Sequence, residues 1–160
     1  MSTDTSFAAR SHEENWLPVL ELAVEEVFEI MLGCRVKPVT ASAHEPNSEF
    51  TAMVGLAGAL CGILTVCCDA ETAGGLAKSM LGETAASEDQ VADALGEICN
   101  MIAGNFKNKL AGTDEHCMLS VPTVVSGEEY CFRSMAEGTS METAMIFEGA
   151  PVTIRLQTKG

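Results

Sequence analysis

Apolar positions recur every three or four residues in three stretches of the chain and every second residue through much of the rest. Leu17, Leu20, Val24, Val27, Phe28 and Met31 form the first helical stripe. Glu21, Glu25, Glu26 and Glu29 fall mainly off it, so one face is built for a core and the other for water. Asn15 can cap this helix, Pro18 fits its first turn and Gly33 ends it. A shorter helix is predicted over residues 70–81, between an Asp69 cap and Gly82. The longest, over residues 88–110, is entered through Ser87-x-x-Gln90, a capping box in which side chain and backbone satisfy each other's end groups. Its acidic start, and Lys107 and Lys109 near its end, agree with the helix dipole.

The remaining apolar runs read as strands. Residues 35–43 are predicted extended, with Pro38 placing them at a sheet edge. Residues 49–57 alternate, putting Phe50, Ala52, Val54 and Leu56 on one face, and residues 60–68 are apolar almost throughout, as a central strand requires. Ala57-Gly58-Ala59 is short enough for a hairpin turn, and Gly55, Gly58 and Gly62 allow close strand approach. Further strands are predicted over residues 118–126, 129–136, 142–147 and 151–157, with a hairpin break at Glu148-Gly149-Ala150. The expected class is α+β: a mostly antiparallel sheet packed against two long helices and one shorter helix. Residues 1–12 lack periodicity and read as a flexible leader; residues 13–160 read as a single domain without internal repeats.

Composition narrows what such a domain can do. An apolar share of 47% over 160 residues supports one substantial core. A formal charge of -14, with only 9 Lys and Arg, argues against nucleic acid and against an anionic membrane surface. No segment has the length of a membrane span, and the polar start Met1-Ser2-Thr3-Asp4-Thr5 does not read as a signal peptide, so a cytoplasmic location is expected. The 7 cysteines are odd in number and sit mostly inside apolar runs, which fits reduced buried thiols better than a disulfide scaffold. His12, His44 and His116 have no metal-type spacing, no CxxC occurs, and no Gly-Lys-Ser/Thr follows the glycines, so no bound metal or nucleotide is expected. No cysteine has the paired histidine that would mark a nucleophile.

One exposed helix face stands apart from this background. Val91, Leu95, Ile98, Ile102 and Phe106 line the apolar side of the longest helix. Asp93, Glu97, Asn100 and Gly104 line the other, at spacings of three and four that stack their side chains in a column. Asn and Gly each weaken a helix interior by roughly 0.5–1 kcal/mol against Ala. By spacing alone the column still fits ordinary solvated surface.

The longer run Glu97-Ile-Cys-Asn100-Met-Ile-Ala-Gly104-Asn105, with Asp93 upstream and Pro122 in the following strand, resembles the signature helix of the CheC, CheX and FliY phosphatases of bacterial chemotaxis. That signature is Asp or Ser, three spacers, Glu, two spacers, Asn, and a later proline. The first helix offers Glu26-Val-Phe-Glu29 without an Asn, which resembles the single-site CheX branch rather than the two-site CheC branch. The resemblance implies a hydrolase acting on the aspartyl phosphate of a CheY-type response regulator. Asn100 would orient the attacking water and Glu97 would pair with the regulator's lysine, with Asp93, Gly104 and Pro122 in support. The Mg2+ would belong to the partner receiver domain, with no cofactor on this chain. A homodimer through strand edges or the C-terminal sheet is expected. The alternative is a non-catalytic regulator-binding or adaptor module of the same fold, as flagellar switch components resemble.

Overall fold

In the computed structural model the described residues are 16–39, 48–58, 61–82, 86–110, 117–127 and 138–159. They form α1 (Trp16–Leu32), β1 (Pro38–Val39), β2 (Phe50–Ala57), β3 (Gly62–Cys68), α2 (Ala70–Leu81), α3 (Glu88–Lys109), β4 (Met118–Leu119), β5 (Thr123–Ser126), β6 (Gly138–Phe147) and β7 (Ala150–Lys159). The strands make one sheet in the order β1-β6-β7-β3-β2-β4, with β5 also pairing β2, and every pairing is antiparallel. Helices and sheet share a single core, which joins Leu20, Val24 and Phe28 of α1 to Leu76 of α2, Ile98 and Ile102 of α3, and Leu64, Ile154 and Leu156 of the sheet. The α+β class expected from the periodicity is the class found.

Local chemistry accounts for the helix ends. The Asp69 carboxylate accepts from the Thr72 N–H at 2.7 Å, and the Gly82 N–H donates to the Lys78 carbonyl at 2.8 Å. At α3 both halves of the capping box form: the Gln90 N–H donates to Ser87 Oγ at 3.2 Å and the Ser87 N–H to Gln90 Oε1 at 2.9 Å. The β6–β7 connection is a two-residue turn in which Glu148 and Gly149 both have positive φ, 50° and 84°. That geometry matches the right-handed twist of the flanking strands.

Several strands differ from their predicted extents. The predicted 118–126 strand is broken into β4 and β5, because three residues from Ser120 to Pro122 face two of β2. The last two strands each run for 10 residues, paired continuously from Gly138↔Lys159 to Phe147↔Ala150. The residues missed at the start of β6, among them Thr139 and Ser140, and at the end of β7, Thr158 and Lys159, are polar, so ladder hydrogen bonds hold them extended where apolar alternation did not announce a strand. Of the predicted 35–43 strand only Pro38–Val39 is described as such, paired with Met145 and Ala144. The predicted strand 129–136, the leader 1–12 and the Asn15 cap lie outside the described residues.

Two core positions make opposite demands on stability. A Cβ on Gly62 would run into the Gln157 backbone carbonyl of β7, so this central pairing tolerates no side chain there. Thr143 on β6 is 2% exposed, and its hydroxyl has no hydrogen-bond partner among the described residues. Gly62→Ala is expected to lower the unfolding free energy by about 1–3 kcal/mol through forced strand separation. Thr143→Val, which keeps the shape and removes the unpaired hydroxyl, is expected to raise it by about 1 kcal/mol. Urea unfolding of the two variants against the parent checks both signs.

Candidate functional site

Helix α3 owes its orientation to its apolar side. Leu95, Ile98, Ile102 and Phe106 are all fully or almost fully buried, as is Cys99, whose thiol lies 3.6 Å from the Leu64 carbonyl of β3. With that side turned to the sheet, Asp93 and Glu97 are exposed and Asn100 and Gly104 are half-buried. The expected column therefore exists as a physical surface. Among the described residues none hydrogen-bonds to or ion-pairs with the side chains of Asp93, Glu97 or Asn100. Three polar groups on this helix thus keep their bonding capacity unused among the described residues.

The column is flanked by the β4–β5 segment. A Cβ on Gly96 would lie 3.4 Å from Pro122 Cβ and 3.4 Å from Val124 Cγ2, so the bare Cα of Gly96 lets helix and edge strand touch. Further along, a Cβ on Gly104 would lie 3.9 Å from Leu119 Cδ1, which partly covers the glycine expected to be bare. Pro122, 22 residues after Asn100 in the chain, is thereby brought beside the column. Gly96 was not singled out in the sequence, although a glycine inside a helix immediately before Glu97 costs about 1 kcal/mol and was a signal to look for a close packing partner.

The far end of α3 is braced against α1. Asn105 Nδ2 donates to Glu26 Oε2 at 2.9 Å and to the Ala23 carbonyl at 3.4 Å, and Lys109 Nζ meets Glu26 Oε1 at 2.9 Å. The hydrogen bond from Lys109 and that from Asn105 hold the Glu26 carboxyl below its ordinary value. Glu26 is the residue that stands where a second-site Glu would begin, and here it serves the helix–helix contact. Burial pushes the Cys68 and Cys99 thiols up to about 12, which leaves neither with thiolate character near neutrality. Among the described residues no group of three or more His, Cys, Asp or Glu side chains converges in a way that could hold a metal ion, and no helix is long and apolar enough to cross a membrane.

The class is thus an α+β domain in which helices pack on an antiparallel sheet and one helix turns carboxylates and a carboxamide outward. Comparison with known proteins gives this class a family. The family model for the chemotaxis phosphatase CheX matches residues 50–146, from the start of β2 into β6, and so includes all of α3 and Pro122. The chain is 33% identical over 117 residues to the CheY-P phosphatase CheX of Thermotoga maritima, covering 70% of this chain and 76% of that protein. The protein belongs to the CheX family. Its fold is that of the chemotaxis protein CheX from Vibrio vulnificus, with a TM-score of 0.76 at 23% identity over 89% of this chain and 95% of the other. It is likewise that of CheX in the CheX–CheY–BeF3–Mg2+ complex from Borrelia burgdorferi, with a TM-score of 0.79 at 20% identity over 91% and 98%.

The depressed Glu26 carboxyl gives a pH signature. A group held below its unfolded value contributes stability above that value and loses it as the pH falls through the folded one. The difference in urea midpoint between the parent and Glu26→Leu is therefore expected to be constant from pH 7 to about pH 5. It should shrink below the ordinary carboxyl value of 4.5. A midpoint difference unchanged at pH 3 would remove the charge from the account of this brace.

Proposed function

We propose that this protein is a phosphatase that hydrolyses the aspartyl phosphate of a phosphorylated CheY-type response regulator. The observation that carries the reading is the Asn100 carboxamide, which has no side-chain partner among the described residues and lies one helical turn from the exposed Glu97 carboxylate. The name of the Thermotoga maritima relative as a CheY-P phosphatase, and the capture of the Borrelia burgdorferi relative with CheY, support the choice of substrate.

An acyl phosphate is intrinsically labile, so its hydrolysis needs positioning more than covalent catalysis. Water attacks phosphorus in line, the bond from phosphorus to the aspartate oxygen breaks, and the aspartate leaves as a carboxylate with inorganic phosphate released. Asn100 serves this step because its Oδ1 accepts a hydrogen bond from the water while its Nδ2 donates to a neighbouring acceptor, and the group is uncharged. A carboxylate in its place would repel the phosphoryl oxygens. Glu97 is negative and is therefore assigned to the lysine that the regulator holds beside its phosphoryl group, which aims Asn100. Asp93 stands at the rim of the column, while Gly104 and Pro122 set how closely the edge strand approaches it. The Mg2+ sits in the regulator's acidic pocket and takes no ligand from this chain.

A homodimer through strand edges belongs to the same reading. Thr123–Ser126 pairs β2 on one side only among the described residues, and an unpaired edge is a ready template for a second copy.

Release of phosphate from a phosphorylated CheY-type receiver, with and without the protein, tests the proposal. The parent should accelerate it, Asn100→Ala should lose about 100-fold of that acceleration with little change in binding, and Glu97→Ala should weaken binding by roughly 30-fold. Tight binding without acceleration by the parent would make the protein a regulator-binding module instead.

A further inference from the structure

The break between β4 and β5 is a β-bulge with a specific output. Pairing has one register at Leu56↔Leu119 and another at Met53↔Thr123, so Ser120, Val121 and Pro122 oppose only Gly55 and Val54. Ser120 takes Gly55 for itself: its N–H donates to the Gly55 carbonyl at 2.9 Å and its Oγ accepts the Gly55 N–H at 2.8 Å. Val121 and Pro122 therefore share the position opposite Val54. Val54 is fully buried and belongs to the helix-side core. Of the two, Pro122 packs on Gly96 while Val121 is left 84% exposed, the highest value among the large apolar side chains described.

The location gives the bulge its meaning. The segment runs along α3 with Leu119 at Gly104 and Pro122 at Gly96. The eight steps of helix from Gly96 to Gly104 cover about 12 Å, and Glu97 and Asn100 lie between those ends. A bulge re-aims a side chain by breaking the alternation of a strand. Here it leaves an apolar side chain outside the core, on the segment that flanks the polar column, next to a residue pinned by two hydrogen bonds. We propose that Val121 is a docking residue of the phosphatase, covered by an apolar side chain at the rim of the receiver's phosphorylation pocket when Asn100 reaches the phosphoaspartate. The inference rests on the phosphatase reading and deepens it. Any partner that brings a reacting group to Asn100 passes over Val121, and burial of one apolar side chain next to a charged pair is the arrangement of an interface anchor. Because the bulge holds Val121 in place beforehand, little ordering is lost on contact.

The test measures kcat and KM for dephosphorylation of a CheY-type receiver, and Kd for the same receiver carrying beryllofluoride as a phosphoryl mimic. Val121→Ala is expected to raise KM and Kd by roughly fivefold to tenfold with kcat within about twofold. Val121→Asp should raise both further, and Val121→Leu, which keeps the apolar contact, should stay near the parent. Ile146→Ala is the control, since Ile146 is also exposed but stands on β6, three strands from β2 and so at about 14 Å or more. A parent that accelerates while the Val121 variants keep its KM overturns the inference and leaves the phosphatase reading standing. An equal rise in Ile146→Ala, or a fall in kcat at unchanged KM, also overturns it. Binding without acceleration by the parent ends the phosphatase reading alone; the Kd of Val121→Ala then decides, a rise supporting the anchor and no change overturning it. A parent that neither binds nor accelerates overturns both.

Discussion

The rotation of α3 about its own axis is the constraint on which the rest depends. One residue of a helix turns 100°, so a slip by a single position would lift Ile98 or Ile102 out of the core and press Glu97 or Asn100 into it. Each large apolar side chain buried is worth about 1.5–3 kcal/mol, and an unpaired polar group left in the core costs a comparable amount. The rotation is thus held by free energy that is a large part of a domain's usual net margin of about 5–15 kcal/mol. The same burial that stabilises the domain determines which three polar groups meet water. Site and core are two sides of one helix.

Axial placement is determined by a different contact. Hydrophobic burial is non-directional and leaves α3 free to slide along the sheet, whereas close packing is not. Gly96 against Pro122 and Val124, and Gly104 against Leu119, are points where the edge strand comes within about a methyl group of the helix backbone. They set the approach of helix and edge strand on either side of Asn100. The Asn105–Glu26–Lys109 cluster then fixes the last turns to α1. The carboxamide is held by neighbours on both sides of it along the helix, which a step made fast by positioning requires.

What could be read from the chain follows the range of the interactions involved. The three helices, their caps at Asp69 and Ser87 and the buried stripe of α3 rest on contacts within a few residues, and they emerged from spacing alone. The alternation of Phe50, Ala52, Val54 and Leu56 was equally plain because one face of β2 is fully buried. The bulge was not, since it depends on how residues 118–126 register against β2, more than 60 residues earlier. Pro122 was nonetheless a local clue, as a proline seldom sits inside an uninterrupted strand. The start of β6 and the end of β7, which pair with each other, escaped for the same reason: polar residues are held extended there by a ladder partner that no local pattern reveals. At the site, spacing alone gave a column that ordinary surface would also produce. What lent it weight was the longer run through Gly104 and Asn105 together with a distant proline, and the fold supplies the reason those belong together, because each contacts an element that holds the helix in place.

Charge completes the physical picture of docking. In the proposed encounter, a protein of net charge -14 approaching an acidic, phosphorylated receiver pocket would meet long-range repulsion rather than steering. At physiological ionic strength that repulsion is screened within about 8 Å, so it governs encounter and not the contact itself. Specific binding must therefore come from short-range terms that survive screening. A carboxylate on a lysine is one, and its value rises as water is excluded around it. An apolar side chain next to that pair excludes water and is insensitive to salt. In the proposed complex the column and the bulge would be complementary in this sense: the first would select the partner by its charge and chemistry, and the second would supply affinity that the overall charge of the domain withholds.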